Sequence, residues 1–176
     1  GPRDQKDVSE ALGWLCGKTF SNGHIGIFGF SASAMGAYNS MKYPMPCVDA
    51  AALGAGSNSL YRDLLYPGGI PNIIPTLSVG LGVGAPMLGA NISGEGSLPR
   101  VVNSVAGLLA IGANFLTRPT EDSWWRGHNY ATGPNTFPVL AATGFYDAES
   151  RGAFENFKLL TTTNPGSTLL VQGAHD

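Results

Sequence analysis

The stretch His24-Ile-Gly-Ile-Phe-Gly-Phe-Ser-Ala-Ser-Ala-Met-Gly36 decides the fold of this chain. Its first half, Ile25 to Phe30, is an apolar run interrupted only by glycine. Its second half places small residues around Ser31, and residues 35–38 then follow at a spacing compatible with a helix. This pattern predicts a buried strand that ends in a sharp turn and continues as a helix.

A serine in such a turn is typical of a nucleophile elbow, whose pattern is G-x-S-x-G. Gly29 and Ser33 lie two residues to either side of Ser31, so serine replaces the last glycine of the pattern. Small residues are needed there because the nucleophile adopts a strained backbone that bulky neighbours would prevent. The amide of Ala32, at the start of the following helix, would then be an oxyanion donor. Because the pattern is loose, an ordinary strand, serine-rich loop and helix is the alternative.

The composition is that of a folded, glycine-rich domain. Charged residues make up 12% of the 176 residues, about half the usual share, and the 25 glycines are about twice the usual share. The net charge is −2 and no basic run occurs, so nucleic acid is not an expected partner. No uninterrupted apolar run reaches about 18 residues, so we expect a soluble protein with no membrane partner. No signal peptide opens the chain, but we expect its N-terminus to be truncated, so the sequence predicts no compartment. We expect a fragment of a longer protein, and nothing in the sequence indicates an oligomeric state.

Neither a metal nor a cofactor is indicated by the sequence. Cys16 and Cys47 are too few for a disulfide scaffold, and we predict that both are buried free thiols. The three histidines are too scattered for a zinc motif: His24, His128 and His175. Residues 80–85 imitate a dinucleotide-binding loop, but no predicted strand precedes them.

Helical and strand patterns alternate along most of the chain. Apolar spacing predicts helices at 7–15 and 149–160, and short apolar runs predict strands at 48–53, 137–144 and 168–171. Helix and strand joined by short links are typical of a mostly parallel α/β sheet.

The pattern changes between the second and third predicted strands. Residues 58–135 are rich in aromatic residues, proline and glycine, and they include a predicted helix at 101–116. We interpret 58–135 as a helical cap that covers the site, and residues 1–57 and 136–176 as an incomplete core that lacks earlier strands.

Three polar residues follow three of the predicted strands, in the order Ser31, Asp147, His175. This is the order of the α/β-hydrolase triad. His175 would accept the serine proton, and Asp147 would hold the imidazole in the correct tautomer. Taken singly, Asp147 could instead cap the following helix, and His175 could be a surface histidine near the chain end. Ser33 and Asp49 are the second candidates for nucleophile and acid.

Several segments together carry a family resemblance: Trp14-Leu15, Phe20-Ser-Asn-Gly-His-Ile-Gly26, Tyr61-Arg-Asp63, Tyr66-Pro-Gly-Gly69, Asp122-Ser-Trp-Trp-Arg126, Pro138-Val-Leu140 through Gly144-Phe-Tyr-Asp147, and Gln172-Gly-Ala-His175. They resemble the catalytic domain of the X-Pro dipeptidyl-peptidase and cocaine-esterase-like serine hydrolases. The resemblance implies an α/β-hydrolase fold and a second oxyanion donor, a tyrosine hydroxyl, upstream of this chain. The family usually has Ser-Tyr-x-Gly at its elbow, whereas this chain has Ser31-Ala-Ser-Ala34.

The resemblance implies a small-molecule ester, or a short peptide with proline second from its N-terminus, as the substrate. The function expected is therefore ester or amide hydrolysis through an acyl-enzyme; the alternative is an inactive relative that only binds. Candidate pocket residues are aromatic: Phe30, Tyr61, Trp124, Trp125, Phe145 and Tyr146. A peptidase would also need an acidic anchor for the substrate amine in the cap, and the candidates are Asp63, Glu95, Glu121 and Asp122.

Overall fold

A computed structural model describes residues 2–57, 59–74, 76, 98–127, 129 and 133–173. Four parallel strands form one sheet in the order β1-β2-β3-β4. The strands are β1 (Ile25–Phe30), β2 (Val48–Gly54), β3 (Val139–Gly144) and β4 (Thr168–Gln172). The prediction of a parallel α/β sheet is confirmed.

The helices that accompany the sheet include α1 (Pro2–Cys16), α2 (Ala32–Ser40), α3 (Leu98–Thr117), α4 (Ser123–Gly127) and α5 (Ser150–Thr163). α2 connects β1 to β2, and α5 connects β3 to β4. Because consecutive parallel strands need a crossover, each of these helices returns the chain to the starting edge of the sheet. The carboxyl ends of all four strands therefore lie along one edge.

The main hydrophobic core lies between the sheet and three helices. Tyr38 of α2 and Leu160 of α5 are almost fully buried against Leu53 and Val139 of the central strands, and Leu12 of α1 joins the same cluster. The packing of α1, α2 and α5 into one cluster places all three helices on the same face of the sheet.

The opposite face of the sheet is apolar and exposed. Phe28 is 81% exposed, Leu170 is 53% exposed and Leu140 is 45% exposed. The strand register joins Phe28 to Leu140 through Ala52, which lies between them on β2. Parallel sheets usually have both faces covered by other elements. In this structure α1, α2 and α5 cover one face, whereas the apolar side chains of the other face are exposed.

The prediction of two free thiols was wrong. Cys16, at the end of α1, and Cys47, just before β2, form a disulfide with their Cα atoms 6.0 Å apart. The two residues are 31 positions apart in the sequence, and their proximity arises because α1 runs beside the segment that precedes β2. The hydroxyl of Ser9 on α1 donates to the carbonyl of Pro44 in that segment.

The described residues between β2 and β3 are mostly helical. A π-helical turn at Leu60–Leu65 and a 3₁₀ turn at Pro67–Gly69 precede α3 and α4. These elements share a second apolar cluster, which is built on Tyr61, Tyr66 and Trp125. The cap boundaries at 58 and 135 stay a prediction, and the glycine-rich residues 80–85 lie outside the described residues.

Asn135 attaches the end of the segment between β2 and β3 to the main core. Its side-chain NH₂ donates to the carbonyls of Met41 and Tyr43, and its Oδ1 accepts from the amide of Met45. In the part of the chain that the structure describes, we find no helix with the length and hydropathy needed to cross a bilayer.

Candidate active site

Ser31 is the single residue between β1 and α2, and its backbone is strained. Its φ is 53° and its ψ is −123°, a region that residues with a side chain rarely adopt. The turn is held on both sides, because the Ser31 amide donates to the Gly54 carbonyl at 2.9 Å and the Ser31 carbonyl accepts from the Met35 amide at 3.0 Å. The side chain of Ser31 makes no capping hydrogen bond to α2.

The glycines around the turn allow α2 to approach the sheet closely. A Cβ on Gly29 would lie 2.9 Å from the Ala34 amide nitrogen, and one on Gly56 would lie 2.8 Å from the Ala34 Cβ. Ala34 itself is fully buried. Small residues at these positions are therefore required by packing as well as by the turn.

Ser33, the second candidate for nucleophile, lies in the first turn of α2. Its hydroxyl accepts from the Phe30 amide at 2.8 Å and donates to the Phe30 carbonyl at 2.7 Å. The Ser33 hydroxyl is thus hydrogen-bonded to the backbone as both donor and acceptor. Ser31, by contrast, occupies the strained turn. Ala32, whose amide is the predicted oxyanion donor, is the first residue of α2, and amides in a first helical turn lack an intrahelical partner.

Asp147 lies three residues beyond the end of β3 and is 5% exposed. Its Oδ1 accepts from the Glu149 amide at 2.9 Å. It does not occupy the cap of α5, since the residue preceding that helix is Glu149. Because β1 and β3 are parallel, Ser31 and Asp147 lie at the same edge of the sheet.

The loop that carries Asp147 is attached to the end of β4. The Phe145 amide donates to the Gln172 carbonyl at 2.8 Å, and the Tyr146 amide donates to the Gly173 carbonyl at 3.1 Å. His175, the predicted base, lies outside the described residues, as does His128. The structure therefore places two of the three predicted triad residues at one sheet edge.

Asp49, the second candidate for the acid, lies at the other end of the sheet. It is the second residue of β2, and its Oδ2 lies 2.7 Å from Nδ1 of His24, just before β1. Both side chains are exposed. This pair is far along the strands from the turn that holds Ser31.

The six aromatic pocket candidates divide into two groups. Phe30, Phe145 and Tyr146 are exposed near the carboxyl ends of β1 and β3, at 42%, 68% and 89%. Tyr61 and Trp125 are buried in the second cluster, and Trp124 packs on Trp125 with ring centroids 4.7 Å apart.

The buried aromatics are held by their polar atoms. The Tyr61 hydroxyl donates to the Pro119 carbonyl at 2.6 Å, and Nε1 of Trp125 donates to the Arg118 carbonyl at 3.0 Å. Tyr61 and Trp125 therefore stabilise the segment between β2 and β3.

Among the acidic candidates, Asp63 is buried and is 5% exposed. Its Oδ2 accepts from the Ser59 amide at 2.8 Å, while the Ser59 hydroxyl accepts from the Arg62 amide, which is a reciprocal cap on the π-helical turn. Its other oxygen, Oδ1, is buried without a hydrogen bond. Burial raises the pKa of Asp63, although the bond from the Ser59 amide acts in the opposite direction.

The other acidic candidates have structural partners. Asp122 accepts from the amides of Trp124 and Trp125 and pairs with Arg118. Burial acts to raise the pKa of Asp122, but these hydrogen bonds outweigh it and hold the pKa below its usual value. Glu121 lies 3.5 Å from Arg62. Glu95 lies outside the described residues.

Ser31 lies on a strained turn between a parallel strand and a helix, and Asp147 follows a second strand at the same edge of the sheet. This arrangement is that of an α/β-hydrolase fold. The family model for X-Pro dipeptidyl-peptidase (S15 family) matches residues 1–176. The chain belongs to this family, as the sequence resemblance indicated.

Solved structures of low sequence identity share the fold. A CocE/NonD family hydrolase from Staphylococcus aureus superposes with a TM-score of 0.71 at 21% identity, covering 98% of this chain and 28% of that chain. An aminopeptidase from a marine sediment Thaumarchaeota archaeon superposes with a TM-score of 0.71 at 18% identity, covering 98% of this chain and 32% of that chain. An alpha-amino acid ester hydrolase superposes with a TM-score of 0.69 at 16% identity, covering 96% of this chain and 31% of that chain. The chain thus spans less than a third of the length of these structures. No curated protein sequence matches it.

Proposed function

We propose that the full-length protein is a serine hydrolase that cleaves an ester or amide through an acyl-enzyme on Ser31. The backbone of Ser31 is the observation that supports this most directly, with φ 53° and ψ −123° at the junction of β1 and α2. Such a conformation costs about 1–3 kcal/mol and persists where the surroundings enforce it, which is common at functional sites. Membership of the X-Pro dipeptidyl-peptidase family supports the same proposal.

In the proposed reaction, the Ser31 hydroxyl attacks the substrate carbonyl while His175 accepts its proton. The Ala32 amide would bind the oxygen that becomes negatively charged, at the positive end of α2. His175 would then return the proton to the leaving group, and water would hydrolyse the acyl-enzyme by the same steps. Asp147 would hold the His175 imidazole in orientation. The role of His175 rests on the sequence alone.

We also propose that the substrate carries a free amine, which binds at Asp63. Asp63 is buried and keeps one oxygen without a hydrogen bond, whereas Glu121 and Asp122 are paired with arginines. An ionised carboxylate forms strong charge-assisted hydrogen bonds with an ammonium group, and an ammonium bound at Asp63 would oppose the effect of burial on its pKa. The names of two structural neighbours, an aminopeptidase and an alpha-amino acid ester hydrolase, are consistent with such a substrate.

The proposal is tested by labelling the full-length protein with a fluorophosphonate probe, followed by mass spectrometry of the labelled peptide. The wild type is expected to be labelled on Ser31, and Ser31→Ala is expected to stay unlabelled. In Ser33→Ala the label should still be found on Ser31, because Ser33 is bonded to the backbone. A folded wild type that stays unlabelled would support the inactive, binding-only alternative, and a label on Ser33 would overturn the assignment of the nucleophile.

A further inference from the structure

We infer that Ser33 is a positioning residue that holds Ser31 in its strained conformation, an inference that rests on the proposed function. Residues 30 and 33 bracket the turn, and one hydroxyl joins them. The Ser33 Oγ accepts from the Phe30 amide at 2.8 Å and donates to the Phe30 carbonyl at 2.7 Å. The two bonds close a short loop of backbone around Ser31.

Among the four described strands, pairing of β1 with β2 does not supply these bonds. β1 is the outer strand of the four, and at its end the contact to β2 is made by the Ser31 amide, which donates to the Gly54 carbonyl. Both polar backbone groups of Phe30 are instead bonded to Ser33. The residue before the turn is thereby attached to the first turn of α2, in addition to the contact that Ser31 makes with Gly54.

A fixed Phe30 restrains Ser31 because the two residues share a peptide unit. With φ of Ser31 at 53°, relaxation to an ordinary negative φ would rotate that peptide unit. Such a rotation would break the bond from the Ser33 hydroxyl to the Phe30 carbonyl, which belongs to that peptide unit, so this bond favours the conformation that the nucleophile needs.

Position 33 has space for a side chain, in contrast to Gly29 on the other side of the turn. Ser33 is exposed, whereas a Cβ on Gly29 would meet the backbone of α2. The serine that departs from the G-x-S-x-G pattern thus adds two hydrogen bonds that a glycine could not make.

The test compares Ser33→Ala, which loses the hydroxyl, with Ser33→Thr, which keeps it, in the full-length protein. The maximal rate of fluorophosphonate labelling and the probe concentration at half of that rate are measured separately, together with the labelled fraction and the thermal midpoint. Loss of ordinary hydrogen bonds should lower the maximal rate in Ser33→Ala by about three- to tenfold. The half-saturating concentration and the labelled fraction should not change, and the thermal midpoint should fall by no more than a few degrees, as expected from the loss of ordinary hydrogen bonds. Ser33→Thr should restore the rate.

A structural readout accompanies the kinetics. Hydrogen exchange at the Phe30 amide should accelerate in Ser33→Ala and not in Ser33→Thr. A wild-type maximal rate in Ser33→Ala would overturn the inference, as would a loss explained by a lower thermal midpoint and labelled fraction. In both cases the proposed function would stand. A wild type that resists labelling would overturn the proposed function, and the inference with it.

Discussion

Gly29 of β1 lies so close to Ala34 of α2 that no Cβ fits between them. A Cβ on Gly29 would lie 2.9 Å from the Ala34 amide nitrogen and 3.0 Å from its Cα. Both atoms belong to the backbone, so a change of rotamer cannot relieve the contact. The junction that positions Ser31 therefore depends on a glycine two residues before it.

Gly29→Ala is expected to destabilise the protein by about 1–3 kcal/mol, the usual effect of forcing atoms into a packed site. Because α2 must shift, the rate of fluorophosphonate labelling should fall as well. Gly26→Ala on the same strand is the matched control, since a Cβ there meets nothing within 4 Å. Urea unfolding of both variants is the measurement, and equal losses of stability in the two would contradict this account.

Asp147→Asn is expected to lower kcat by a factor on the order of 10⁴, the size of effect seen when the acid of a serine triad becomes an amide. The reason is that an amide favours the wrong imidazole tautomer. Asp49→Asn is the control, because Asp49 is an exposed acid at the opposite end of the sheet, beside His24. Steady-state kinetics on an activated ester separates the two, and a similar kcat for both variants would exclude Asp147 from the triad.

Asp63→Asn is expected to change how stability depends on pH. Burial raises the pKa of Asp63 in the folded state above its unfolded value. The folded state therefore binds this proton more tightly, so the favourable contribution is complete below the unfolded pKa and is lost as the pH rises through the folded pKa. Asparagine has no such proton and can still accept from the Ser59 amide. The thermal midpoint of the wild type, relative to that of the variant, should fall as the pH is raised from acid towards neutral. If the midpoints of the two proteins change in parallel with pH, the raised pKa of Asp63 is contradicted.

The same Asp63→Asn variant tests the proposed amine site. A hydrogen bond to a charged group contributes about 1.5–3 kcal/mol, so KM for a substrate with a free amine should rise by about tenfold or more. The matched substrate is the same ester with its amine acetylated, for which KM should not change. An equal change for both substrates would show that Asp63 acts only as the cap of the π-helical turn.

Reduction of the disulfide is expected to destabilise the protein by about 3–4 kcal/mol, because a bond across 31 residues restricts the unfolded chain. Thermal unfolding with and without dithiothreitol measures the effect. Cys16→Ser should have the midpoint of the reduced wild type and should not respond to the reductant. A wild-type midpoint that does not depend on the reductant would mean that the thiols are unpaired in solution.

The sequence predicted the elements of this fold closely. The strand pattern at 168–171 corresponds to β4 at Thr168–Gln172, and the helix pattern at 149–160 corresponds to α5 at Ser150–Thr163. Both patterns depend on the spacing of apolar residues within one contiguous segment, which is a local property. For the same reason the turn at Ser31 could be predicted from its neighbours alone.

Contacts between distant segments were decided by the tertiary structure. Nothing near Cys16 indicates Cys47 as its partner, and the spacing of Asp49 does not show that it pairs with His24 away from Ser31. The sequence by itself determined which residues form strands, helices and the turn, because dihedral preference and apolar periodicity are set locally. Which strands are neighbours, which acid shares an edge with Ser31, and that Ser33 bonds to Phe30 required the packed structure, because those contacts exist only once helices and strands are placed against one another.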